Sequence, residues 1–332
     1  MVVPTGQPVG IRNLEEMLSV SPRLRRSELA VPASNPKMIG KAAGAGADLV
    51  FLDLEDAVAP TQKAAARQNV IDGFSTHDWG STVRCFRMNG VHTEWAVDDL
   101  TEVIGAAGNH IDVVMVPMVR SPRDIWFVET LLSHLERKHR LERPIGIEAL
   151  IEEAEALANV ESIAAASPRL EALILGFGDL SASLGMRAGR LDYPGDVWHH
   201  ARARMIAAAR SHGVEPIDGP YPVITDSDGY RVEANSAAAL GAAGKWCLHP
   251  SQIPIANEVF APTAQELDHA VSALNAIEAA VLAGSGVAVH NGTMVDAASA
   301  RVFEATVQRA VACGMAVGEL RTPADALVGS QA

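Results

Sequence analysis

The stretch "ADLVFLDLEDAVAP", residues 47–60, decides the fold. From Leu49 to Leu54 it is apolar except for Asp53. A short, nearly continuous apolar run is the pattern of a strand buried on both faces, as in a parallel sheet. Asp53, Glu55 and Asp56 interrupt the end of that run. Ionised carboxylates buried without partners cost several kcal/mol each, so a strand carrying them at its C-terminal end is expected to deliver them to a working site.

The same texture recurs in both directions from this stretch. Strands are expected at 27–32 "SELAVP", 49–56 "LVFLDLED", 83–89 "VRCFRMN", 111–119 "IDVVMVPMV", 145–152 "IGIEALIE", 172–179 "ALILGFGD", 214–220 "VEPIDGP" and 244–250 "GKWCLHP". Helical patterns lie between them, at Pro36–Ala45, Gln62–Phe74, Pro122–Arg140, Glu153–Ala166, Val197–Ser211 and Ser227–Leu240. Apolar strands alternating with helices imply a parallel sheet covered on its outer face. Eight such units in roughly 230 residues are the size of an α/β fold of the (β/α)8 TIM-barrel type. A doubly wound open sheet is the alternative, but no G-x-G-x-x-G follows the first strand.

After residue 260 the pattern changes. "APTAQELDHAVSALNAIEAAVLAG" reads as one long helix, "SGVAVHNGTMVD" contains the hairpin dipeptide Asn291–Gly292, and "AASARVFEATVQRAVA" reads as a second helix. The expected organisation is a barrel over residues 1–260 and a C-terminal extension over 261–332. The extension is either a packing appendage or a lid or intersubunit arm, and its last dozen residues are expected to fray.

Composition sets the boundaries. The chain has 332 residues, 48% of them hydrophobic, enough for one large core or two ordinary ones. A net charge of −13, with no dense basic run beyond "PRLRRSE" near residue 25, argues against duplex nucleic acid as a partner. Cys85, Cys247 and Cys313 are far apart and lack metal-ligand spacing, which suits structural thiols in a reducing compartment. No apolar run is long enough to span a membrane and no signal-peptide pattern opens the chain, so a soluble, cytoplasmic protein is expected.

A barrel keeps its chemistry at the C-terminal ends of its strands. The strands here end in Glu55 and Asp56, in Arg87 and Asn89, and in Glu152, Asp179, Asp218 and His249. Any one of these has an ordinary explanation. Asp56 or Asp179 suits a helix N-cap, His249 before Pro250 a loop closure, and Trp246 the core. Only the set, drawn from several strands, points to catalysis. Glu152 and Asp179, on adjacent strands, suit Mg2+, which keeps much of its hydration and takes few protein ligands. Arg87 offers a planar fork to a carboxylate or carbonyl oxygen.

The run from Arg26 to Arg67 resembles the citrate lyase β-subunit-like, malyl-CoA/β-methylmalyl-CoA lyase branch of the HpcH/HpaI aldolase superfamily. So do "FRMNG", "ALIEEAEALANVESIAAASPRLEALILGFGDLSASLGM", "PIDGP", "GKWCLHPSQ", "NEVFAPT" and "NGTMVDAAS". The resemblance spans about residues 25 to 312 in matching order. It implies a TIM barrel that binds Mg2+ and makes or breaks a carbon–carbon bond between an acyl-CoA, such as acetyl- or propionyl-CoA, and a 2-oxoacid such as glyoxylate.

By resemblance, Glu152 and Asp179 are metal ligands, Glu152 also contacting substrate, and Arg87 binds the 2-oxoacid and its developing oxyanion. Asp296 is the acid/base, supplied by an adjacent subunit of a homotrimer or homohexamer. Glu55 and Asp56 orient waters and Arg87, and Lys41 contacts CoA phosphates.

The chain departs from the family pattern in three places. "PASNPK" has Ala33 and Asn35 where a phosphate-binding arginine is usual, with Arg25, Arg26 or Lys37 as substitutes. "PMV" puts Met118 where a lysine is usual, and "RAGRLDYPGDVWHH" is shortened. A malyl-CoA thioesterase, a citramalyl-CoA lyase and a non-catalytic barrel are the alternatives to a malyl-CoA-type lyase.

Overall fold

The computed structural model describes residues 23–187 and 196–317. The expected fraying of the C-terminus falls outside these residues, as does most of the shortened stretch after Met186. Two compact units are present, one over Arg25–Phe260 and one built on the residues from Ala261.

The first unit is a closed barrel of eight parallel strands in chain order. They are β1 (Ser27–Pro32), β2 (Leu49–Asp53), β3 (Val83–Arg87), β4 (Val113–Val116), β5 (Gly146–Ile151), β6 (Leu170–Leu175), β7 (Glu215–Asp218) and β8 (Gly244–Cys247). β8 pairs back onto β1, with Leu29 opposite Cys247. The helices around them are α1 (Pro36–Ala42), α2 (Lys63–Thr76), α3 (Ala96–Ala107), α4 (Pro122–His139), α5 (Ala154–Ala158), α6 (Val160–Ala164), α7 (Phe177–Ser183), α8 (His199–Ser211), α9 (Ser227–Leu240) and α10 (Ile253–Val259).

Strand alternation divides the apolar residues into two cores. Leu49, Phe51, Cys85, Met115, Leu150, Ile174, Ile217 and Trp246 fill the barrel interior, where Phe51 and Trp246 lie 4.7 Å apart. Their neighbours Val50, Leu52, Phe86, Val114, Ala149, Ile151 and Leu173 pack outward against the helices. Because side chains alternate with period two, Asp53, Arg87 and Glu152 share the inward parity of Phe51, Cys85 and Leu150 and form its uppermost layer. The lowest layer is also charged: buried Arg25 pairs with Glu148 and with Glu171, and stands 3.7 Å from Glu28.

Two expectations are corrected, and one helix is added. Glu153–Ala166 is two short helices, because Asn159, at φ −104°, leaves helical geometry between them. β6 stops at Leu175, so Asp179 lies in the first turn of α7 and not at a strand end. Ala96–Ala107, a segment not named among the helical patterns of the sequence, is a helix with Leu100, Val103 and Ile104 buried on one face.

In the second unit α11 (Ala264–Leu282) opens with a capping box between Thr263 and Glu266. A hairpin of β9 (Val287–His290) and β10 (Thr293–Asp296) turns at Asn291 and Gly292. Both have positive φ, 48° and 78°, as a tight type I′ turn requires. α12 (Ala297–Ala312) follows, and Leu267, Leu274, Ile277, Val295 and Val307 form this unit's own core.

Candidate active site

Arg87 and Asp53 are register partners on β3 and β2, which places a cation and a carboxylate side by side in the uppermost interior layer. Arg87 Nε and Nη2 donate to the two oxygens of Asp53 at 2.7 and 2.6 Å. Its remaining nitrogen, Nη1, lies 2.7 Å from Glu55 Oε2 and 3.5 Å from Asp56 Oδ2. The guanidinium also stands 5.8 Å above Trp246. Burial works to lower the basicity of Arg87, but the carboxylates led by Asp53 outweigh it, so its charge is permanent.

Sequence reasoning treated Asp53 only as part of an acidic run. In the structure Asp53 fixes the fork of Arg87 and the loop after β2, accepting from the backbone N–H groups of Glu55 (2.8 Å) and Ala57 (3.2 Å). Lys63, also missed, secures the same loop by donating to the carbonyls of Leu54 (2.7 Å) and Glu55 (2.8 Å). Nothing in its local sequence signals that role.

Glu152 follows directly after β5 and is only 2% exposed. Its Oε1 accepts the backbone N–H of Met118 at 2.6 Å. On the opposite side Gly176, the N-cap of α7, approaches so closely that an added Cβ would lie 2.5 Å from Glu152 Cβ and 2.7 Å from Oε2. Glycine is therefore required where the helix bearing Asp179 begins.

Electrostatics tie these carboxylates into one group. Burial raises Glu152 to about 7, against Met118 N–H and Arg87, with Asp179 and Asp56 adding to the rise. Burial likewise raises Glu55 to about 8, with Arg87 opposing and Glu152, Asp56 and Asp53 adding. Asp179 is raised by its own burial and by Asp56. Negative charge thus exceeds what Arg87 neutralises, and every nearby donor is a hard oxygen.

That donor chemistry fits a divalent cation such as Mg2+. Among the described residues no three His, Cys, Asp or Glu side chains form a complete metal cage. A site of Glu152 and Asp179 would be completed by water and substrate oxygens.

A pH dependence follows. In the folded protein Glu152 holds its proton up to about pH 7, whereas in the unfolded chain it loses it near 4.5. The folded state therefore binds more protons in that window, and the contribution of Glu152 to stability falls as pH rises through it. A cation held by Glu152 would displace the proton, so its Mg2+ affinity is expected to weaken about tenfold per unit below pH 7 and to level off above it. Calorimetric titration between pH 5.5 and 8 checks this; a flat profile removes Glu152 from the ligand set.

Other strand-end residues are engaged with partners of their own. Asp218 has outward parity and is buried against Arg202 and Lys245, at 2.7 and 2.6 Å. Asn89 donates to Asp99, and His249 caps a turn through Ser251. Lys41 is exposed in the last turn of α1, roughly 8 Å along the helix from its start.

Asp296, in the second unit, caps α12. Its Oδ1 accepts from the N–H groups of Ala298 (2.9 Å) and Ser299 (3.0 Å), and these donors hold its pKa below the usual carboxylate range. Cys85 and Cys247 are buried. No helix among the described residues is long and apolar enough to cross a membrane.

A closed parallel barrel with an arginine and clustered carboxylates at the C-terminal ends of its strands is the architecture of a barrel enzyme. Residues 26–250 match the HpcH/HpaI aldolase/citrate lyase family, and the chain belongs to it. It is 39% identical, over 87% of its length and 95% of the relative's, to an L-malyl-CoA/β-methylmalyl-CoA lyase from Cereibacter sphaeroides. A (3S)-malyl-CoA thioesterase from the same species is 36% identical over 82% of this chain and 89% of that one.

The structure is similar to that of CitE from Mycobacterium tuberculosis in complex with magnesium, acetoacetate and coenzyme A. The TM-score is 0.67 at 31% identity, covering 86% and 97% of the two chains. A citrate lyase from Burkholderia xenovorans shares the fold, with a TM-score of 0.79 at 22% identity over 91% and 97%.

Proposed function

We propose that this chain is a Mg2+-dependent carbon–carbon lyase of the malyl-CoA/β-methylmalyl-CoA type, joining an acyl-CoA to a 2-oxoacid such as glyoxylate or cleaving the product. The observation that carries this reading is the Arg87 fork. Asp53 occupies two of its nitrogens, and Nη1 is left toward Glu55 and Asp56 beside the Glu152–Asp179 pair.

Cleavage of a β-hydroxyacyl-CoA requires loss of the hydroxyl proton while the electrons of the breaking bond move to the thioester carbonyl. Mg2+ held by Glu152 and Asp179 would polarise the hydroxyl and carboxylate oxygens of the substrate. Arg87 Nη1 stabilises negative charge on the oxygen that becomes the 2-oxoacid carbonyl. Glu55 and Asp56 hold Nη1 in place before substrate arrives, and Glu55, raised by burial, sheds charge at little cost when substrate displaces it.

In the condensing direction Asp296 of an adjacent subunit takes a proton from the acyl methyl or methylene carbon. It is ionised at neutral pH, and Oδ1 is committed to the helix N-terminus while Oδ2 meets the substrate. This role requires a symmetric assembly, a homotrimer or homohexamer by the family pattern, with the extension as an intersubunit arm. Lys41 is assigned to the CoA phosphates by the family pattern.

Incubation with malyl-CoA and Mg2+, with an EDTA control, tests the proposal. Glyoxylate and acetyl-CoA in equal amounts, lost with EDTA, are expected. Malate and free CoA would instead establish the thioesterase, a reading favoured by the 36% identical relative. Turnover of neither malyl-CoA nor citramalyl-CoA would leave a non-catalytic barrel.

A further inference from the structure

Three residues other than glycine have positive φ among the described residues: Met118 (53°), Arg140 (53°) and Asn291 (48°). Arg140 is the left-handed C-cap of α4, and Asn291 makes the hairpin turn. Met118 does neither. It lies between β4 and α4, in a conformation that L side chains other than Asn and Asp seldom adopt.

The loop around Met118 is fastened on every side. Val119 is fully buried, and the backbone N–H groups of Arg120 and Ser121 donate to Asp124 at 2.7 and 3.0 Å. The side chain of Arg120 pairs with Glu153, the residue after Glu152. Asn159, following α5, donates to the carbonyl of Arg120 at 2.9 Å. These contacts join the loop after β4 to the segment after β5, and at their centre the N–H of Met118 meets Glu152 Oε1.

We propose that the left-handed backbone of Met118 is a positioning device. Its N–H holds one oxygen of Glu152, so that the other, beside Gly176 and the start of α7, is presented on the side of Asp179. The side chain at position 118 is immaterial to this role, whereas its φ is essential. The proposal rests on the reading of Glu152 and Asp179 as the Mg2+ pair. It also accounts for how methionine serves where the family pattern has lysine, since either residue supplies the same N–H.

The test is Mg2+ affinity, measured by calorimetry on the substrate-free protein. Met118→Gly and Met118→Asn tolerate positive φ and should stay within about twofold of the parent. Met118→Val, whose branched Cβ resists positive φ, should bind Mg2+ about tenfold more weakly at an unchanged secondary-structure content. A Gly or Asn variant as weak as Val, or a Val variant as tight as the parent, overturns the proposal.

Should the Val variant not fold, deuterium exchange of the parent decides. Mg2+ should slow exchange at 118–121 in the parent but not in Glu152→Gln, and unaltered exchange in the parent overturns the assignment. Glu152→Gln also separates the two levels. If it binds Mg2+ as the parent does, the metal-pair reading fails. If it loses Mg2+ while Met118→Val does not, only the positioning role fails.

Discussion

Replacing Glu152 with glutamine is expected to lower Mg2+-dependent turnover by about a thousandfold or more, roughly 4 kcal/mol of transition-state stabilisation. The fold should survive. Glutamine has nearly the same shape, and its Oε1 still accepts the N–H of Met118. Burial already disfavours the ionised form of Glu152, raising it to about 7, so a neutral isostere removes an unfavourable charge. The melting temperature without metal should stay level or rise, and the stabilisation normally given by added Mg2+ should vanish. Turnover within tenfold of the parent would remove Glu152 from the metal site.

Arg87 has the other large expected effect. Arg87→Ala leaves Asp53 buried without its fork, a loss of about 3 to 5 kcal/mol, moderated by the two backbone N–H groups that Asp53 keeps. Arg87→Lys keeps the charge and much of the stability, but an ammonium cannot span both oxygens of Asp53 and still present a donor at the mouth. It should lose activity by about a hundredfold or more.

Co-assembly of Arg87→Lys chains with Asp296→Asn chains then tests the shared site. Random mixing in a closed ring would pair an intact barrel with an intact neighbouring tail in about a quarter of sites. Activity should recover toward that fraction. No recovery from two separately inactive variants would place Asp296 outside a site shared between subunits.

The barrel was legible because its strands are buried on both faces and need no alternation to be recognised. Boundaries failed where apolar runs continue past a strand's end. "ALILGFGD" reads as one strand, yet the chain leaves the sheet at Gly176, the N-cap of α7, which lies against Glu152, a residue 24 positions earlier. Asp218 was misplaced because "VEPIDGP" has no polar alternation to tell which parity faces inward; pairing of Ile217 with Gly244 fixes that parity.

Glu152 and Arg87 could be found as charges ending apolar strands. Lys63 and the Met118 N–H could not, since each of these bonds has a backbone group on one side, which no residue pattern marks. The charged lower layer of Arg25, Glu28 and Glu148 escaped notice because single acids inside apolar runs resemble surface positions.

The pairing of Asp53 with Arg87 also bears on how the chain reaches its native arrangement. The two residues face each other only when β2 and β3 close in one alignment. A slip of one position turns one of them toward the helices, leaving an arginine or an aspartate desolvated without its counterpart. Apolar neighbours such as Val50, Phe51 and Leu52 distinguish poorly between such alignments, because both faces of the strand are greasy. The charged pair therefore penalises slipped pairings of β2 with β3 that hydrophobic packing alone would tolerate.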